Sequence, residues 1–127
     1  MTSVVDLLPR DKRDTQRAMA LVALGYPVVE PVLPKMLEWI QDRNWPVARV
    51  FEPFLATIGA PLAPHIRVVL SGNDDSWKYS VLDSVILKSP YLVHALQTDL
   101  VRLSQQPTLG ERTELVDVRA EELLRGA

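Results

Sequence analysis

Two histidines, His65 and His94, are the side chains best suited to proton or metal chemistry at neutral pH. A helical zinc site would give one of them a partner at His-Glu-x-x-His spacing, and neither has one. The carboxylate pairs Asp11/Asp14 and Asp74/Asp75 stand where helices are expected to begin. There an acid caps free N–H groups and meets the positive end of the helix dipole, so capping explains them before catalysis does. Glu111, Glu114, Asp117, Glu121 and Glu122 alternate with Arg112, Arg119 and Arg125. Their i,i+3 and i,i+4 spacings are those of a solvated helix face. The chain has no cysteine, which removes thiol catalysis, disulfides and Cys-ligated zinc. Its five glycines are too scattered for a phosphate-binding loop, and no serine occupies a nucleophile elbow. The expectation is a non-enzymatic protein with no cofactor and no metal.

Aromatic residues carry a different signal. Of three Trp, three Tyr and two Phe, Trp39, Trp45, Trp77 and Tyr79 lie at or near expected interhelical turns. Asp42 and Trp45 recur as Asp74 and Trp77, an offset of 32 residues, with Arg49 and Lys78 close by. Trp and Arg dominate binding hot spots, so Asp42, Trp45, Arg49, Asp74, Trp77 and Lys78 form a candidate protein-binding edge. The same indoles can instead staple helix starts to a core.

The elements that would position these residues are helical. Gly25, Gly59 and Gly72 each follow an apolar run, where a helix C-terminal glycine belongs. Pro27, Pro46, Pro61 and Pro90 stand near the starts of the next runs, where a missing N–H costs least. Seven helices are expected: about Lys12–Leu24, Pro31–Gln41, Asn44 (as N-cap) to Ile58, Leu62–Leu70, Asp74 or Asp75 to Lys88, Pro90–Leu103 and Thr108–Leu124. Val47, Val50, Phe51, Phe54, Leu55 and Ile58 keep the 3.6-residue spacing through the third, and Pro53 should kink it. Thr108-x-x-Glu111 opens the last with a capping box, and Leu115, Val116, Ala120, Leu123 and Leu124 should face inward. Phe51, Phe54, Leu55, Leu82, Val85 and Ile86 are the expected central core. No segment alternates long enough to be a strand.

Leu24–Leu37 and Ile58–Leu70 share an apolar residue, Gly, x, Pro, then a second Pro and a final Leu. Together with the Asp/Trp recurrence this sets a period of about 32 to 34 residues built from two helices. A helical hairpin cannot bury its apolar face alone, so such units stack. The expected fold is all-α, an α-α superhelix of about three antiparallel hairpins after an N-terminal capping helix, in a single domain 1–127. Residues 1–11 form its N-terminal segment, and the repeats cover approximately 27–58, 61–88 and 90–125. In that array Trp45 and Trp77 should be neighbours.

Leu7-Leu-Pro-Arg-Asp-Lys12, Leu24-Gly-Tyr-Pro27, Leu37-Glu-Trp39, Asp42-x-Asn-Trp-Pro-Val-Ala48, Pro53-Phe-Leu-Ala56, Pro61-Leu-x-Pro-His-Ile-Arg67 and Trp77-Lys-Tyr79 stand in order along the chain. Together they resemble a bacterial family of small HEAT-like domains of unknown function. The resemblance implies a prokaryotic ARM/HEAT-type helical repeat and brings neither an activity nor assigned functional residues.

Net charge is −2, from 14 basic and 16 acidic residues, which argues against a nucleic-acid or anionic-membrane partner. No signal peptide opens the sequence and no uncharged run is long enough to cross a bilayer, so a cytoplasmic location is expected. The reading is a protein-protein interaction module or adaptor for an unknown protein or peptide. Its rivals are a nucleic-acid-binding HEAT-like domain and, below that, an enzyme with an unrecognised site.

Overall fold

A computed structural model describes residues 3–126; Met1 and Thr2 of the expected N-terminal segment, and Ala127, lie outside the described residues. Among the described residues nine α-helices follow a 3₁₀ turn at Val4–Leu7: α1 (Thr15–Leu24), α2 (Leu33–Glu38), α3 (Pro46–Ile58), α4 (Ala63–Leu70), α5 (Asp75–Val81), α6 (Pro90–Ala95), α7 (Gln97–Gln105), α8 (Leu109–Thr113) and α9 (Val116–Gly126). Among the described residues the architecture is all-helical, without strands.

Local chemistry sets most helix boundaries. Asp14 caps α1 by accepting the Arg17 N–H at 3.4 Å, and Gly25 closes it at φ +74°, a conformation costly for residues with a Cβ. Asn44, the expected cap of α3, is displaced by Trp45. The reason is Asp42, whose carboxylate accepts the Asn44 N–H at 2.8 Å and carries the turn one residue further. Pro46, with no N–H to satisfy, then takes the first helical position.

Three expected helices are interrupted. The second survives as α2 between 3₁₀ turns at Glu30–Val32 and Trp39–Gln41. The sixth breaks at Leu96 into α6 and α7, and the seventh breaks at Leu115, which sits at φ +63°. Leu115 is 56% exposed rather than inward as expected. A left-handed leucine costs about 1–2 kcal/mol, offset by the turn that brings Val116, Ala120 and Leu123 of α9 into the core against α7. After α5 the expected fifth helix continues, but as a π-helical turn over Leu82–Ile86, with the Leu87 N–H donating to the Leu82 carbonyl at 3.2 Å.

One hydrophobic core runs from Ala18 to Leu123. α1 packs on α3, α3 on the π turn, and α9 on both α5 and α7. Phe51, Leu55, Leu82, Val85 and Ile86 are fully buried at its centre, as expected, while Phe54 is only partly buried. The inward stripe of α3 is Val47–Phe51–Leu55, with Ala48 beside it, at i, i+4, i+8. Val50, Phe54 and Ile58 lie on its shoulder.

Candidate functional site

The expected Asp/Trp edge is divided by the fold. Asp42 holds the Asn44 turn, and Asp74 is the exposed N-cap of α5, accepting the Trp77 N–H at 3.0 Å. Arg49 is exposed on α3. Trp77 is partly buried and donates its indole N–H to the Leu37 carbonyl at the end of α2, 3.0 Å away. Trp45 does not pair with Trp77; it meets Trp39 edge to face, centroids 5.7 Å apart and planes at 70°. The offset of 32 residues does not carry over to the helix starts: Trp45 is the N-cap of α3, whereas Trp77 is the third residue of α5, so no indole ladder forms.

Lys78 is the clearest correction. It is 3% exposed, and its ammonium lies 2.8 Å from both Asp75 Oδ1 and Glu111 Oε2. Glu111, expected on a solvated face, is 0% exposed. Its carboxylate also accepts from Arg102 at 2.7 and 2.9 Å and from the Thr108 N–H at 2.8 Å. Burial alone would raise its pKa; the donors from Arg102, Lys78 and Thr108 outweigh that and lower it from 4.5 to about 2. Burial works against the Lys78 ammonium, but Asp75 and Glu111 hold its pKa above the ordinary value. Arg102 extends the cluster to the Leu70 carbonyl, 3.4 Å away at the end of α4. Glu111 is held by Lys78, Arg102 and the Thr108 N–H, and Lys78 by two carboxylates, so the cluster clamps α5, α7 and α8 together.

A Cβ on Gly110 would come within 2.3 Å of Asp75 Oδ2. Gly110→Ala should therefore push Asp75 off Lys78 and cost about 1–3 kcal/mol, since a buried charge loses a partner. Urea denaturation checks this, with Gly126→Ala, which meets nothing within 4 Å, as the reference.

A second ionic chain crosses the molecule. Asp83, on the π turn, receives Arg43 on one oxygen and Arg119 on the other, the latter at 2.8 Å. Arg43 also meets Glu52 at 2.9 Å, and Arg119 meets Glu122 at 2.7 Å. His65 lies 3.0 Å from Glu30 Oε1, and His94 is exposed on α6. The two histidines are not brought to a common site.

One feature open to a ligand is a groove of about 440 Å³ lined by Leu8, Pro9, Lys35, Glu38, Trp39, Gln41 and Trp45. Trp39 and Trp45 supply its aromatic floor, each partly buried against the core. Among the described residues neither indole N–H of this pair has a protein acceptor, in contrast to Trp77, and neither is sealed from solvent. At the rim Lys35 and Glu38 neutralise one another at 3.3 Å. Of the expected binding residues only Trp45 lies here. Trp39, six positions earlier, was legible as an aromatic residue at an expected turn, but nothing local joins Leu8-Pro9 of the N-terminal segment to that turn.

The family described as "Domain of unknown function (DUF5071)" matches residues 7–124, and the chain belongs to it. No curated protein matches the chain. The family match spans all nine helices up to the last turn of α9 and includes the whole groove.

Proposed function

We propose that this member of the DUF5071 family is a short HEAT-like array of helical hairpins and works as a non-enzymatic protein-interaction module, its partner docking in the Trp39–Trp45 groove. One observation carries the reading: two indoles in edge-to-face contact line an open groove, and among the described residues neither of their N–H groups has a protein acceptor. Hot spots are enriched in Trp, and ligand sites are concave and mostly apolar. The ionisable groups support it from the other side, because Glu111, Lys78, Asp75 and Arg102 are spent on one another. No single helix among the described residues is long and apolar enough to cross a membrane.

Affinity capture from the native source tests the reading. Wild type should retain a defined set of proteins that both Trp39→Ala and Trp45→Ala lose, with melting temperatures within a few degrees of wild type. Capture that is indifferent to both substitutions would remove the groove from the function.

A further inference from the structure

We infer that the groove takes an uncharged, proline-rich segment of another protein in polyproline II conformation; this rests on the interaction-module reading above.

The first argument is hydrogen-bond complementarity. An indole donates and cannot accept. Trp39 and Trp45 line the groove with Leu8 and Pro9, and among the described residues neither indole N–H has an acceptor, so each is free to donate to an occupant. A polyproline II segment has the opposite need: its carbonyls make no internal hydrogen bonds, and each proline lacks an N–H. An ordinary extended strand would bring N–H groups as well, for which the lining offers only the side chains of Gln41 and Glu38, the latter already paired with Lys35.

The second argument is charge. Lys35 and Glu38 at the rim are paired at 3.3 Å, so the groove presents no net charge to an occupant. Charged peptides gain nothing there, and an apolar one loses little on entry.

The third argument is that the protein already places such a dipeptide in this groove. Leu8 has φ −62°, ψ 136° and precedes Pro9, which is buried. These angles lie close to polyproline II. The wall of the groove is thus an X-Pro step in the proposed conformation, beside the same two indoles. Proline-rich ligands dock in aromatic-lined grooves at low entropic cost because their conformation is preformed.

The experiment uses the full chain and a fluorescein-labelled decaproline, with a Gly-Ser decamer of equal length as control, followed by anisotropy. Decaproline should bind at least about tenfold more tightly than the control. Trp45→Phe, which keeps a ring and removes the donor, should weaken it about three- to tenfold. Trp45→Ala should weaken it more than about tenfold. Trp77→Phe, outside the groove, should leave the affinity unchanged. Circular dichroism and melting temperature accompany each variant; if Trp45→Ala unfolds, Trp39→Phe and Trp45→Phe decide. Equal binding of the two decamers, or wild-type affinity in both Phe variants, overturns the inference. Failure of decaproline with Trp-dependent protein capture intact refutes the peptide chemistry alone; loss of both refutes the module as well.

Discussion

Glu111→Ala should destabilise the fold by about 3–5 kcal/mol, the range for stranding one side of a buried ion pair. The carboxylate is fully buried and shared by Lys78, Arg102 and the Thr108 N–H, so its loss leaves a buried ammonium with only Asp75. Total stabilities of such domains are about 5–15 kcal/mol, so much of the folding free energy is at stake. Glu111→Gln should cost less, because it keeps the shape and one acceptor. The pH dependence has a definite sign. The folded-state pKa is lowered from 4.5 to about 2, so the stabilisation is complete above about 4.5 and drains away as pH falls towards about 2. The shift corresponds to on the order of 3 kcal/mol. Lys78 acts in the opposite direction: its pKa is raised, so its contribution is present below 10.5 and is lost at higher pH. Urea denaturation of wild type, Glu111→Ala and Glu111→Gln at neutral pH and near pH 3 checks the Glu111 claims. Identical acid limbs in wild type and Glu111→Gln would sink the assignment.

Phe51→Ala should also cost about 3–5 kcal/mol, through lost burial and a cavity between α3 and the π turn. Phe54→Ala, three residues on, should cost about half as much or less, because that ring keeps part of its surface in water even when folded. The ordering matters more than either number. Both residues are apolar, aromatic and on the periodic side of one helix, so periodicity alone ranks them equally. Denaturant midpoints for the two variants separate them. A larger loss at Phe54 would mean that α3 is rotated from the orientation described here.

The contrast between these residues shows how far local pattern reaches. A hydrophobic stripe locates a helix and its buried half, but a helix face spans over 100°, and only the neighbours decide which part is the centre. The Asp/Trp recurrence behaves in the same way. Asp74 caps α5 because an acid at that position meets free N–H groups whatever surrounds it, and Asp42 turns the chain at Asn44 for an equally local reason. The indoles three residues after each acid share a register and still diverge, Trp77 to the Leu37 carbonyl and Trp45 to the Trp39 ring. Glu111 was legible as half of a capping box with Thr108, and that box is present. Its burial was not legible, because the residues that neutralise it arrive from Lys78 and Arg102 on other helices. An acid among arginines reads as solvated until tertiary packing seals the water out.

By itself the sequence determined what depends on neighbours within a turn or two of chain: helical character without strands, the capping residues at Asp14, Asp74 and Thr108, the glycine stops at Gly25 and Gly59, and most of the central core. Backbone hydrogen bonding and the 3.6-residue period act over that range, and residue type reports them directly. Tertiary structure alone decided the left-handed break at Leu115, the π turn carrying Asp83, the inward turn of Lys78 and the meeting of Leu8-Pro9 with Trp39 and Trp45. Each is a local cost or an ambiguous preference settled by contacts far apart in the chain, where desolvation and ion pairing outweigh the fractions of a kcal/mol carried by propensity.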